Sequence, residues 1–311
     1  IEAMLRNLKR APLGVDPEHE FRISIAGAQE KTALLYYEDQ WLSPVGTTPT
    51  THILKPQIGS IPTSSGAIDM TASVDNEHYC LHVARAFGLP VTKTRIETFG
   101  ELRVLVVERF DRFWSRDGRL LRKPQEDFCQ ALGVPSAQKY QSTAQAHQSG
   151  PSNIDIAEVL RGSDDPIDDL ITLFKSQIVF WLMGATDGHA KNFSVFLNPG
   201  GRFSLTPLYD ILSAQPAFDA NQIPHNRFKL AMSVGNADHF RVQYIQKRHF
   251  LETARMMRLG ETYTNQVFDD LLKQGQTAAD EALKFMPADF EMSIHESVKR
   301  AISTRLTRLE T

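Results

Sequence analysis

Between Phe21 and Ile96, apolar and polar positions follow short, strand-like patterns. The runs FRISIAG, TALLYYED and THILKP are separated by Gly, Pro and Thr turns and predict a small antiparallel sheet. One helix interrupts it. The segment SVDNEHYCLHVARAFGLP opens on a serine-rich cap, carries Val74, Tyr79, Leu81, Val83, Ala84 and Phe87 at helical spacings, and stops at Gly88 and Pro90. The strand RVLVVERF follows. Beyond residue 120 the helical period dominates, in IDIAEVLRG, PIDDLITLFKSQIVFWLMGATDG, RHFLETARMMRLG and DFEMSIHESVKRAISTRLTRL. The pattern predicts an α+β chain with a small β-rich lobe over residues 1–112 and a larger helical lobe over 113–311. The polar tract YQSTAQAHQSGPSN, residues 140–153, is predicted as a mobile loop, and no internal repeat is visible.

Composition narrows the classes. The 311 residues, 41% of them hydrophobic, can bury a sizeable core in two lobes. A net charge of -3 argues against a surface that is basic throughout, so any polyanion contact must be local. Cys80 and Cys129 are too few for a disulfide framework and lack metal-ligand spacing; they are expected as reduced, buried thiols, which suggests a cytoplasmic protein. No uninterrupted apolar window approaches roughly eighteen residues, and the start IEAMLRNLKRAPLG has no signal-peptide pattern, so no membrane partner is expected. That start falls within a helical pattern, as in a fragment or a chain whose true amino terminus is missing.

The candidate chemistry lies in GATDGHAKNFSVFL, residues 184–197. Asp187 precedes Asn192 by five positions, just after a long apolar helix. An acid there can accept or orient a hydroxyl proton, while the amide oxygen of Asn192 can take a divalent cation. Eighteen residues past Asn192, LTPLYDIL supplies a second carboxylate, Asp210, after two strand-like runs joined by the turn NPGGR. This is the order in which kinases deliver a catalytic Asp, a metal-binding Asn and a metal-binding Asp. THILKP supplies Lys55 to neutralise nucleotide phosphates, with Glu77 or Asp75 of the following helix as its tether. VLVVERFDR reads as an adenine-binding hinge at Glu108, Arg109 and Phe110, or as plain sheet core ending in a charged turn. Neither a G-x-G-x-x-G nor a Walker loop occurs. SIAGAQEKTALL, with Ala26, Gly27, Ala28, Gln29, Glu30 and Lys31, offers backbone amides and a lysine for phosphates, or a simple turn.

At this point the chain resembles the HipA-like serine/threonine kinases, toxins of bacterial toxin-antitoxin systems. The D-x-H-x-x-N form is also similar to the catalytic loop of phosphoinositide-type kinases. The HipA resemblance runs through FRISIAGAQEKTALL, THILKP, SVDNEHYCL, VVERFDR, PQEDFCQALG, ATDGHAKNFSVF, LTPLYDILSA and KLAMSVG, in that order. It implies a two-lobed protein-kinase-like fold using ATP and Mg2+. Asp187 would be catalytic, Asn192 and Asp210 would hold magnesium, and His189, Lys191 and Tyr209 would join Lys55, the hinge and the phosphate loop around the nucleotide. Ser24 would be autophosphorylated, switching the kinase off. The implied partners are a DNA-binding HipB-like antitoxin, operator DNA through that complex, and an aminoacyl-tRNA synthetase substrate whose modification arrests translation. The family's amino-terminal subdomain has almost no counterpart ahead of Ser24. A short HipT-like form would take that subdomain from a separate small protein. Arg255 and Arg258, three apart and so expected on one helical face above Phe250, Leu251 and Met257, are candidates for phosphate contacts on operator DNA. Two other readings are a catalytically silent corepressor that supports the antitoxin on DNA and a small-molecule kinase.

Overall fold

The computed structural model describes residues 1–8, 30–63, 66–141, 150–237 and 239–310. The chain divides into two compact units, residues 1–78 with 92–123 and residues 79–91 with 124–311. The expected strand FRISIAG, with Ser24, Ala26, Gly27, Ala28 and Gln29, lies outside the described residues.

The first unit begins with a short helix, α1 (Glu2–Asn7). It contains β1 (Thr32–Tyr37), β2 (Gln40–Leu42), β3 (His52–Pro56), β4 (Gly59–Thr63), β5 (Gly66–Met70), β6 (Thr94–Phe99), β7 (Leu102–Glu108), β8 (Arg112–Trp114) and β9 (Leu120–Arg122). Among the described residues, five of these form one antiparallel sheet in the order β2-β1-β3-β7-β6. Successive side chains on a strand point to opposite faces, and β7 is apolar on both. Val104 and Val106 join Leu34 and Leu54 beneath Leu5 and Leu8 at the amino terminus. Leu105 and Val107 join Ile53 and Ile96 against Val74, in the first turn of α2 (Ser73–Ala86). Fully burying such a side chain contributes about 1.5–3 kcal/mol.

The hairpins β4–β5 and β8–β9 were not expected from the sequence. Their exposed strands, GSIPT and GAIDM among them, bury too little to carry an alternating pattern.

The second unit contains β10 (Gln125–Asp127), α3 (Phe128–Ala131), α4 (Asn153–Leu160), α5 (Pro166–Met183), β11 (Ser194–Asn198), β12 (Arg202–Leu205), α6 (Gln215–Asp219), β13 (Lys229–Val234), β14 (His239–Arg241), α7 (Lys247–Met256), α8 (Glu261–Gly275), α9 (Ala278–Leu283) and α10 (Met292–Glu310). Helix α5 starts with Pro166 in its first turn, where the missing N–H costs no helical bond. Every residue from Leu173 to Met183 is buried, as expected of a helix at the centre of a core. Helix α10 packs along α5. Its buried Arg305 donates to the Leu182 carbonyl at 2.8 Å and to Gln215 Oε1 at 2.5 Å, and burial pulls its pKa down to about 10. Strands β10, β11 and β12 form an antiparallel sheet, and the expected hairpin around NPGGR pairs Asn198 with Arg202.

Two local expectations are corrected. In the tract 140–153, residues 142–149 lie outside the described residues, but Tyr140 and Gln141 are hydrogen-bonded and the far end is a helix cap. The Ser152 and Asp155 side chains bond each other's backbone N–H groups, so helix α4 begins at Asn153. Arg255 and Arg258 do not share a helical face. Helix α7 closes after Met256 through the Leu259 N–H to Ala254 C=O bond at 2.9 Å, which puts Arg258 in the left-handed region at φ 56°. Both arginines are exposed; Phe250 and Met257 are buried, and Leu251 is half-buried.

Cys80 and Cys129 are free and buried. Among the described residues no helix is long and apolar enough to cross a membrane.

Candidate active site

The end of α5 positions the chemistry of the second unit. Gly184 ends the helix in a left-handed conformation, φ 70°, which glycine adopts without a Cβ penalty. Two bonds then hold the segment after Asp210 to that helix end: Ser213 Oγ donates to the Met183 carbonyl at 2.6 Å, and the Ala214 N–H donates to the Gly184 carbonyl at 2.9 Å. Just before Asp210, the Leu208 N–H donates to the Pro90 carbonyl at 2.8 Å. The chain carrying Asp210 is thus fixed on both sides of a residue at φ 59°, a conformation uncommon outside glycine but tolerated by Asp.

Asp187 sits in the turn between Gly184 and the 3₁₀ segment Ala190–Asn192, with its side chain 64% exposed. Its carbonyl accepts from the His189 N–H at 2.8 Å and from Asn192 Nδ2 at 2.9 Å. The same Nδ2 lies 3.5 Å from the Asp210 carbonyl. The structure therefore brings Asp187, Asn192 and Asp210 together through one buried amide. With the nitrogen committed to two carbonyls, Oδ1 is the atom of Asn192 suited to a cation. Amide and carboxylate oxygens are the donor chemistry a hard divalent ion prefers, so the residues present fit magnesium.

The neighbours of this turn are neutral or paired. Burial holds the His189 imidazole below its usual pKa, against the opposing pull of Asp187, whose Oδ2 lies 3.9 Å from Nε2. The buried His189 Nδ1 has no hydrogen-bond partner among the described residues. Tyr209 donates to the Lys191 carbonyl at 2.8 Å and shares a hydrogen bond of 2.5 Å with Ser194 Oγ; burial pushes its phenol above the usual range. Lys191 is 2.5 Å from Asp127 Oδ2. Asp127 also caps α3 in a reciprocal pair with Gln130, so this lysine is tied to a helix start.

Tyr140 was not expected at the site, yet its hydroxyl donates to Asp187 Oδ1 at 2.7 Å. Its signal in the sequence is slight. It is the only Phe, Tyr or Trp in the tract 140–153.

The first unit holds the remaining candidates. Lys55 Nζ donates to Glu77 Oε1 at 2.7 Å, with side chains 7% and 2% exposed. Asp75 is gripped instead by Arg103, at 2.7 and 3.0 Å. Of the two carboxylates the sequence left open, Glu77 is the one Lys55 meets, because residues two apart on a helix face different directions. In the segment Glu108–Phe110, the Glu108 N–H donates to the Lys93 carbonyl and the Arg109 N–H to the Thr51 carbonyl, each at 2.9 Å. The Glu108 carbonyl accepts from Thr92 Oγ1 at 2.9 Å, and the Arg109 side chain clamps Asp111. Those two N–H groups are therefore engaged within the unit, and an adenine edge would have to use other atoms of this segment. Glu30 is exposed and Lys31 half-buried, immediately before β1.

Comparison with known proteins places this geometry. Residues 23–281 match the model of the HipA-like C-terminal domain. The candidate kinase Y4mE of Sinorhizobium fredii is 37% identical over 215 residues, covering 69% of this chain and 46% of that protein. The serine/threonine-protein kinase toxin HipA of Shewanella oneidensis is 29% identical over 220 residues, covering 68% of this chain and 47% of that protein. The chain thus spans about half the length of these relatives. Among solved structures, Shewanella oneidensis HipA in complex with HipB and operator DNA superposes with a TM-score of 0.74 at 23% identity, over 99% of this chain and 70% of that one. The Helicobacter pylori proinflammatory kinase CtkA gives 0.54 at 14% identity, over 90% and 91%. The fold is the α+β kinase-like fold expected from the sequence, and the chain belongs to the HipA-like C-terminal domain family.

Proposed function

We propose that this chain is an ATP- and magnesium-dependent serine/threonine protein kinase and the toxin of a toxin-antitoxin pair. The observation that carries the reading is the buried Asn192 amide, which joins the backbones of two acidic residues while the Asp187 carboxylate stays largely exposed. Asp187 accepts or orients the proton of the acceptor hydroxyl. Asn192 Oδ1 and the Asp210 carboxylate hold the metal, and Tyr209 braces the turn between them through the Lys191 carbonyl. Buried Lys55, paired with Glu77, neutralises phosphate oxygens of the nucleotide, with Glu30 and Lys31 ending the proposed phosphate loop. The bound nucleotide and metal supply the phosphoryl group and neutralise its charge.

By likeness to the HipA toxin of Shewanella oneidensis, which was solved with HipB and operator DNA, the proposed partner is a DNA-binding antitoxin. Exposed Arg255 and Arg258 then contact operator phosphates through that complex, and the proposed substrate is an aminoacyl-tRNA synthetase. Autophosphorylation of Ser24 adds roughly 1.5–2 negative charges to the phosphate loop and repels the nucleotide.

The test is phosphate transfer from radiolabelled ATP by purified wild type and an Asp187→Asn variant. The variant should lose about 10²–10³-fold in rate while keeping its fold. Near wild-type transfer would remove Asp187 from the catalytic role.

A further inference from the structure

The Tyr140 hydroxyl lies on the carboxylate of Asp187, and the tyrosine itself is fixed from several sides. The Gln141 side chain makes two bonds to Ser233 on β13, Nε2 donating to Oγ and Oε1 accepting from the backbone N–H, each at 2.9 Å. The Gly150 N–H donates to the Tyr140 carbonyl at 3.2 Å. A Cβ on Gly150 would meet that carbonyl oxygen at 2.4 Å and the Gln138 carbonyl oxygen at 2.0 Å, so the two ends of the intervening segment meet at a point only glycine allows. The Tyr140 ring stands edge-on to buried His189 at 5.0 Å between centroids, and Lys139 Nζ lies 5.0 Å from its centroid. Burial, with Asp187 adding to it, pushes the phenol above its usual pKa, so at neutral pH it is a donor.

We propose that Tyr140 is a positioning residue for phosphoryl transfer: its hydroxyl holds Oδ1 of Asp187, so that Oδ2 is presented to the acceptor hydroxyl. The inference rests on Asp187 being the catalytic carboxylate. A carboxylate that is 64% exposed has little packing to fix its rotamer, and a hydrogen bond from a residue anchored on β13 supplies that restraint. Because the hydroxyl is not transferred and donates its hydrogen bond to the base, its removal, with the ring kept, should slow the chemical step and leave nucleotide binding unchanged.

The experiment compares wild type, Tyr140→Phe, Asp187→Asn and the double variant, using radiolabelled ATP with magnesium and casein as a generic acceptor alongside self-labelling. Tyr140→Phe should lower kcat by about tenfold with KM for ATP and the thermal midpoint unchanged. In the residual activity of Asp187→Asn, adding Tyr140→Phe should change the rate by a factor near one, since the two groups act as a unit. Independently of activity, 3-fluorotyrosine placed at position 140 should shift its fluorine resonance when Asp187 becomes Asn. An unchanged or raised kcat in Tyr140→Phe, with Asp187→Asn inactive, overturns the proposal and leaves Asp187 in place; a raised kcat would mark the phenol as a gate. A fluorine signal unmoved by Asp187→Asn overturns the contact itself. Full activity in Asp187→Asn, or a wild type that labels nothing, removes the catalytic reading and the proposal with it.

Discussion

The candidate groups of the two units sit in different charge environments. In the first, the charges around Lys55 and the Glu108–Phe110 segment include buried, matched pairs. Lys55 meets Glu77, Arg103 grips Asp75, and Asp111 lies between Arg109 and Arg112, which hold its carboxyl below the usual range against the opposing effect of burial. In the second unit the carboxylate of Asp187 stays largely exposed with one neutral bond from Tyr140, and neutral bonds from Asn192, Ser213 and Tyr209 hold the surrounding backbone. A buried charge that loses its partner is costly, whereas an exposed one can change without disturbing the fold. Substitutions in the first unit should therefore be read in stability and those at Asp187 in rate.

The sharpest way to break this contrast is Glu77→Ala. It leaves the Lys55 ammonium buried without its carboxylate and should cost about 3–5 kcal/mol, read as a lower urea midpoint. A loss below about 1 kcal/mol would mean that the pair is more solvated than its 7% and 2% exposures indicate. Asp187→Asn should do the reverse. A fall in phosphate transfer of about 10²–10³-fold should come with an unfolding midpoint within error of wild type. If that midpoint dropped as far as in Glu77→Ala, the contrast between the units would fail.

A third effect is pH-dependent. Burial, reinforced by the nearby Arg95, pulls His52 from 6.5 down to about 4. Between those values the unfolded chain takes up a proton that the folded chain refuses. The contribution of His52 is complete above pH 6.5 and is lost as pH falls toward 4, by on the order of 1–3 kcal/mol after solvent screening. Chemical denaturation across that window should show wild type losing more stability than His52→Gln. Parallel curves would show that His52 does not titrate in this way.

The smallest effects lie on the exposed end of α7. Arg258→Gly should stabilise the chain by about 0.5–1 kcal/mol, because glycine takes the left-handed conformation at φ 56° without strain. A destabilised variant would show that the Arg258 side chain matters to the fold. In the proposed complex with antitoxin and operator, changing Arg255 and Arg258 to Ala should flatten the salt dependence of binding by up to about two units of slope. Identical slopes would remove both from the interface.

What the sequence by itself determined is what local period and spacing can express. The short apolar run in RVLVVERF was enough to indicate β7, whose Val104 and Val106 lie on one face and Leu105 and Val107 on the other. Helix α5 was legible from its helical period as a long apolar helix, and the order Asp187, Asn192, hairpin, Asp210 followed from residue types at short separations. What only the tertiary structure decided involves partners far apart in the chain or features with no period. Glu77 rather than Asp75 faces Lys55 because the helix turns their side chains in different directions. Arg258 leaves the face of Arg255 because the helix ends at Met256, a boundary that an arginine in a left-handed cap does not announce. Lys191 is tied to Asp127, 64 residues earlier, and Tyr140 reaches Asp187 across 47 residues from a tract whose composition reads as a loop. A hydrogen bond between residues so distant depends on where the packed core brings each backbone, and no local spacing encodes that.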